Sequence, residues 1–354
     1  MDKQRLESLL QAMHRVGATA LFLTAGRPPS LRVQRRVGEL DEPRIHEGAI
    51  EEFVRDLMFS DHREQLARTG SVEVLYLAKG GRRHRVAVTE CEGRRAVVVR
   101  PLPQTVPTLE SLELPDQLSA FTRCRSGLVL VGGFFGAGKT TTIAALVDQL
   151  RQDPTRHIVT IEDAIEFVHP PGAALLHQQE IAVHAPSAVA GIRQAIAMGV
   201  DTIVVGELDS EEALHAALAA VESGCLVLCG VEAGSVIGVL SDVILRAPIE
   251  ARARLRTRLA RALRGVTAQC LVQRSHRAGR IAAVEILLAT PAVRNVIRSG
   301  ELQELTAIMN RCRGLGMQTI DGAMRVLHAA HLVPADEVAG LPRFVGHEPA
   351  AIGR

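Results

Sequence analysis

The chain has 354 residues, 47% of them hydrophobic, which is enough for two domains each with its own core. Its 41 Lys and Arg against 39 Asp and Glu leave a formal charge of +2, too balanced to imply a nucleic-acid partner. No apolar run reaches membrane-spanning length and the N-terminal MDKQRLESLLQAMHRVG lacks a signal-peptide core, so a cytoplasmic location is expected.

Leu6, Leu9, Leu10, Met13 and Val16 give a helical stripe that Gly17 ends. Strands follow over 21–23 and 31–33, around the turn Gly26-Arg27-Pro28-Pro29. A second helix is expected over 50–59, and a third from Asp61 with Glu64 at capping-box spacing. Three strands over 72–77, 83–89 and 95–99, separated by turns at Lys79-Gly80-Gly81 and Glu92-Gly93, complete a small α+β domain over 1–104. Pro101, Pro103 and Pro107 mark a stiff linker over 105–120. From 121 to 290 strands and helices alternate, as in an α/β nucleotide-binding domain. Residues 291–354 read as helical, with breaks near Gly300 and Gly314-Leu315-Gly316.

Within the α/β part, SGLVLVGGFFGAGKTTTIAALVDQL (126–150) carries the densest signal. Leu128 to Val131 suit a buried strand, and Ile143, Ala144, Leu146, Val147 and Leu150 recur at helical intervals. Between them, Gly133, Gly136, Gly138, Lys139 and Thr140 match G-x-x-x-x-G-K-[ST]. The glycines let backbone N–H groups close on phosphate oxygens, and the helix start adds a positive dipole end. Gly133, Gly136, Ala137, Gly138, Lys139, Thr140 and Thr141 are therefore the candidate ATP-phosphate residues. Lys139 is placed for the β/γ-phosphates and Thr140 for Mg²⁺. Phe134 and Phe135 fill the variable positions and are expected to pack under the loop.

TIVVGE (202–207) is an apolar strand ending in Glu207, and TIEDAIEF (160–167) places Glu162 and Asp163 at a second strand end. Carboxylates at the C-terminal ends of parallel strands face the ligand crevice. Glu207 is the candidate for orienting or deprotonating an attacking water, with Glu162 and Asp163 as further catalytic candidates. Glu162 and Glu207 would reach Mg²⁺ through water. Six scattered cysteines, with no histidine at metal-site spacing, read as reduced core residues. The arginine-rich run 250–266 reads as a helix ending near Gly265, its leucines packed and its basic face solvated. His14, His62, His177 and His184 carry no expected role.

These motifs together resemble the type IV pilus retraction ATPases (the PilT type) of the secretion ATPase superfamily, nearly end to end. The segment 126–150 looks like the Walker A motif, HIVTIEDAIEFVH (157–169) like the Asp box and DTIVVGE (201–207) like Walker B. ATPAVRNVIRSGEL (289–302) resembles the C-terminal motif associated with retraction, and GLGMQTID (314–321) continues the match. The resemblance implies a RecA-like ATPase core behind a PAS-like N-terminal domain. It also implies a homo-hexameric ring, an inner-membrane pilus platform as partner, a peripheral location at the pilus base, and a possible paralogous pilus ATPase as co-subunit.

Departures from the family pattern concentrate at charge-sensing positions. Glu232 in CGVEAGS stands where the family has a histidine, and Cys225 replaces another. Gln179, Ala197 and Asp209 stand where it has arginines. Positive groups of this kind are worth roughly 10³–10⁵ in phosphoryl-transfer rate. Arg85 and Arg100, on N-terminal strands, are candidate replacements, although exposed strand arginines are ordinarily solvated. Two functions remain open: a retraction motor with slow hydrolysis, or a nucleotide-binding regulatory or structural subunit of a pilus or type II secretion ring.

Overall fold

The computed structural model describes residues 3–33, 36–91, 93–276 and 279–339; Glu92 and the end of the expected helical region lie outside them. The chain divides into two compact units, Met1–Thr105 and Val106–Arg354.

In the first unit the elements run α1 (Lys3–Arg15), β1 (Ala20–Thr24), β2 (Ser30–Val33), β3 (Arg36–Glu39), α2 (Glu47–Leu57) and α3 (Ser60–Thr69). They continue with β4 (Ser71–Leu77), β5 (Arg83–Cys91) and β6 (Arg94–Pro101). The strands form one antiparallel sheet in the order β3-β2-β1-β6-β5-β4. Leu6, Leu10 and Met13 of α1 and Ile50, Phe53 and Val54 of α2 share a core with Leu21, Leu23, Val86, Val88, Val97 and Val99. β3 has no counterpart in the sequence reading: all four of its residues are exposed, and only its ladder to β2 defines it. α3 begins one residue before the expected start. Its cap is the Phe59 amide donating to Nδ1 of His62 at 3.4 Å rather than a box closed by Glu64. Arg85, a candidate charge donor, pairs with Glu73 at 3.6 Å.

The second unit contains α4 (Ser119–Thr122), β7 (Gly127–Gly132), α5 (Lys139–Leu150), β8 (His157–Glu162), β9 (Leu175–Glu180) and α6 (Ala188–Ala197). Next come β10 (Thr202–Val205), α7 (Glu211–Glu222), β11 (Leu226–Val231), α8 (Val236–Leu245) and α9 (Arg252–Ala262). The hairpin β12 (Leu263–Gln273) and β13 (Arg280–Leu288) leads into α10 (Pro291–Ser299), α11 (Leu305–Arg311), α12 (Ile320–Ala329) and α13 (Ala335–Ala339). The sheet order is β13-β12-β7-β11-β10-β8-β9, parallel throughout except for the β12–β13 pair.

β7 is buried on both faces, as its unbroken apolar run requires. Leu128 and Leu130 join a core with Ile192, Leu214, Leu218, Val239 and Leu259. Val129 and Val131 join the opposite core with Phe121, Leu146 and Leu150. Leu109, Leu114 and Leu118, from the proline-flanked segment read as a linker, pack into that second core.

The arginine-rich helix stops earlier than its leucine spacing suggests. Leu263 turns to extended backbone, and Leu263 to Val266 lie in β12, beside β7. Gly265 permits this, because a Cβ there would meet the Phe121 ring at 2.2 Å.

His84 is fully buried in the first unit, and its Nε2 shares one hydrogen bond with Nε2 of His14 at 2.8 Å. Burial holds the His84 imidazole down to about 4, with His14 adding to the effect. The folded state therefore favours neutral His84, and the unfolded chain binds the extra proton between pH 6.5 and 4. Stability of this unit should be complete above pH 6.5 and fall toward pH 4, by about 1–3 kcal/mol at saturation. Tyr76 is the only tyrosine and there is no tryptophan, so tyrosine emission during urea unfolding isolates this unit. Replacing His84 with Leu should flatten the pH dependence.

Candidate functional site

The site is built at the C-terminal ends of β7, β8 and β10. β7 enters the glycine loop at Gly133, and α5 leaves it at Lys139. Gly138 is the residue before the helix and adopts φ 87°, while Gly136 adopts φ 77°. Side chains resist both conformations, and here they turn successive amides toward one concave surface. The Ala137 amide donates to the Phe134 carbonyl at 3.0 Å, closing the turn. Nζ of Lys139 donates to the Gly133 carbonyl at 2.6 Å, so the ammonium lies across the mouth of the loop.

Gln269 of β12 clamps the loop from behind. It is 2% exposed; its Nε2 donates to the Ala137 carbonyl at 2.8 Å, and its Oε1 accepts from the Thr142 hydroxyl at 2.9 Å. The sequence gives no hint of this role, because β12 itself was read partly as helix and 127 residues separate Thr142 from Gln269. Phe135 departs from expectation: it is 90% exposed rather than packed under the loop. Phe134 departs from it as well, being 46% exposed, although one edge of its ring lies against Gly234.

The expected carboxylates fall into two groups. Glu207 follows β10, half-buried, and lies in the field of Lys139, Glu232, Asp163 and Asp209. Burial raises its carboxyl above the ordinary value, Lys139 pulls it down, and the three carboxylates push it up further. Glu162 ends β8 and accepts from the Thr160 hydroxyl at 2.7 Å and from Nε2 of Gln178 at 3.2 Å. Burial raises Glu162 too; the two donors lower it, while Glu166 and Glu180 raise it. Glu162 and Thr140 line one cavity of about 30 Å³ with Thr160, Phe167, His169 and Gly206. Ile143, Ala144, Val147 and Val204 complete the lining, so the cavity is largely apolar, with Thr140, Thr160 and Glu162 as its oxygen-bearing side chains.

β11 runs between β7 and β10, and its close fit needs Gly230, where a Cβ would come within 2.1 Å of the Gly206 carbonyl oxygen. The strand leads directly to Glu232, which is exposed. Gln179, on β9, keeps a buried Oε1 with no hydrogen-bond partner. Ala197 and Asp209 are exposed. Among the described residues no cluster of three or more His, Cys, Asp or Glu is arranged to hold a metal by itself. Nor is any described helix long and apolar enough to cross a membrane.

A family profile described as "Type II/IV secretion system protein" matches residues 82–330. The chain belongs to that family. It is 32% identical over 340 residues to the type IV pilus retraction ATPase PilT of Pseudomonas aeruginosa, covering 95% of this chain and 98% of that one. It is also 32% identical over 322 residues to the type IV pilus ATPase PilU of the same organism, covering 91% and 84%. A crystal structure of the pilus retraction motor PilT with bound ADP superposes with a TM-score of 0.85 at 30% identity, over 94% of this chain and 95% of that one.

Replacing Gln269 with Leu leaves the Ala137 carbonyl and the Thr142 hydroxyl without their buried partner. Urea unfolding should show a loss of about 1–3 kcal/mol in the second unit. A fluorescent ATP analogue should bind less tightly in the same variant, because the loop's amides are no longer held in one arrangement.

Proposed function

We propose that this protein binds Mg-ATP at residues 133–141 and hydrolyses it slowly, as a motor subunit of type IV pilus retraction and twitching motility. The observation that carries the reading is Lys139 lying across a turn of converging amides, with the Glu207 carboxylate within its electrostatic reach. The family membership and the likeness to PilT and PilU support it.

In this reading Gly136, Gly138 and Thr141 offer backbone N–H groups to the phosphates, while Gly133 and Ala137, whose amides donate to the Val231 and Phe134 carbonyls, shape the loop around them. Lys139 leaves the Gly133 carbonyl to pair with the β/γ-phosphates. Thr140 holds Mg²⁺, with Glu162 and Glu207 contributing through water; the ion neutralises phosphate charge when bound. Glu207 takes the proton of the attacking water, and Asp163 helps to orient that water. No arginine or histidine occupies positions 179, 197, 209 and 232, so few positive groups answer the negative charge of the phosphoryl transition state, and Glu232 adds repulsion.

The wider assignment rests on the same likeness: a RecA-like core over 121–290, a PAS-like domain over 1–104 joined by 105–120, and a helical C-terminal region over 291–354. The chain would assemble as a homo-hexameric ring in the cytoplasm against an inner-membrane pilus platform protein, without nucleic acid. A second reading, a nucleotide-binding regulatory or structural subunit beside a paralogous pilus ATPase, is favoured by Glu232 near Glu207 and by the orphaned Gln179.

Phosphate release by the purified protein separates the two. The motor reading expects measurable turnover, slower than that of P. aeruginosa PilT assayed in parallel, and a drop of roughly 10²–10⁴-fold in Glu207→Gln with nucleotide binding retained. Turnover indistinguishable from background, and unchanged in Glu207→Gln, supports the regulatory subunit instead. Lys139→Ala should abolish binding under either reading. Activity should also fall on the acid side at a pH above the ordinary carboxylate range, because Glu207 must be ionised to accept a proton. Glu232→Gln removes a neighbouring negative charge and should move that limb to lower pH.

A further inference from the structure

Glu285 lies on β13 and is 9% exposed, yet the reaction proposed above makes no use of it. Its Oε2 accepts from the Val236 amide at 2.7 Å, and the Ile320 amide faces the same carboxylate. Val236 and Ile320 are the first residues of α8 and α12. The caps of these helices, Ser235 and Thr319, accept from the third amides, Gly238 and Gly322, and leave the first amides to Glu285. One carboxylate therefore joins the positive ends of two helices that are far apart in sequence.

Each helix is tied to something further along. α8 leaves the loop that carries Glu232, and Gly234 of that loop backs onto the P-loop's Phe134; a Cβ at Gly234 would meet that ring at 2.5 Å. On the other side, Gln318 and Ile286 exchange backbone bonds of 2.8 and 3.1 Å, and Nε2 of Gln318 donates to the Val284 carbonyl at 2.7 Å. Packed and hydrogen-bonded groups thus run without interruption from Phe134 through Gly234, Val236 and Glu285 to Ile320.

We propose that Glu285 is a positioning residue that couples the Glu232 loop to the start of α12, so that occupation of the P-loop is felt at residues 317–324. This rests on the reading of residues 133–141 as a nucleotide site. The physical reason is that the Val236 amide cannot shift without either carrying the carboxylate with it or stranding a buried charge and a buried donor. Moving the carboxylate loads the Ile320 amide in turn. The coupling is read as a response at the far end of that path.

Hydrogen–deuterium exchange of the full chain, with and without Mg²⁺ and the non-hydrolysable analogue AMP-PNP, reads both ends at once. In the wild type, exchange should slow at 133–143 and change by about fivefold or more at 317–324, the low end of ordinary coupling between sites. In Glu285→Gln the response at 133–143 should persist and that at 317–324 should disappear, while Glu285→Asp restores part of it. Protection at 133–143 of the wild type with no change at 317–324 overturns the coupling, and this arm needs no variant to fold. An identical response in wild type and Glu285→Gln overturns it as well. No protection at 133–143 in the wild type refutes the nucleotide reading itself, and the coupling falls with it.

Discussion

The glycine loop has its shape because Gln269 holds it. A turn of amides aimed at one point repels itself: the dipoles converge and no side chain within the loop can answer them. Gln269 answers from outside, taking the Ala137 carbonyl and the Thr142 hydroxyl at one buried amide group. That turns the Ala137 carbonyl away from the front of the loop, and Lys139 closes the front on the Gly133 carbonyl. The parallel registration of β12 with β7 is what brings Gln269 there, so the loop depends on the strand pairing Ala268↔Gly132 and on the bulge between Leu263 and Gly265. Binding geometry at the loop is thus a property of the central sheet rather than of its own seven residues.

Charge at the mouth is unbalanced in a way that constrains chemistry. Glu207 feels Lys139 on one side and the carboxylates of Glu232, Asp163 and Asp209 on the other, so negative charge outweighs positive around it. A polyanion entering such a site meets repulsion that falls off slowly in a partly buried setting. Amide dipoles and Lys139 offset part of it, and a divalent cation can offset the rest. Thr140 and Glu162 both line one small cavity beside the loop. Glu162 is insulated from the main acidic group by Thr160 and Gln178, which satisfy it locally.

The strand-loop-helix core of the site was legible because each part shows a different periodicity within 25 residues, and only glycine suits the turn between them. The strand-end placement of Glu162, Asp163 and Glu207 was legible for a topological reason: each stands at the end of a short apolar run set between helical patterns. Gln269 was not, since its role exists only across a strand pair, and the leucine spacing 255, 259, 263 carried the helix reading past its true end. The β3 strand was invisible because RVGE has no buried face to pattern. The histidines given no role turn out to be structural: His14 pairs with His84, His157 with His177, and Nδ1 of His184 accepts from the Glu180 amide. Such roles need only one neighbour, brought by the fold from up to 70 residues away, and leave no local spacing to detect.

The arginine-rich helix α9 shows the same principle acting on charge. A row of arginines suggests a solvated basic face, yet Arg252 and Arg258 of the helix, and Arg264 just beyond it in β12, are engaged within the second unit. Arg258 holds both carboxylate oxygens of Glu222 on α7 at 2.9 Å, Arg252 caps the Ala247 carbonyl, and Arg264 reaches the Ser126 carbonyl ahead of β7. The last carbonyls of α9 are in turn taken by Arg294 of α10, which donates to Ala260, Arg261 and Leu263. A helix C-terminus is the negative end of its dipole, so a guanidinium there satisfies orphaned carbonyls and field together. Arg294 lies in the segment that resembles the retraction motif. In this chain that arginine fixes how α9 ends, and therefore where β12 begins. The same contact thereby fixes the register that delivers Gln269 to the glycine loop.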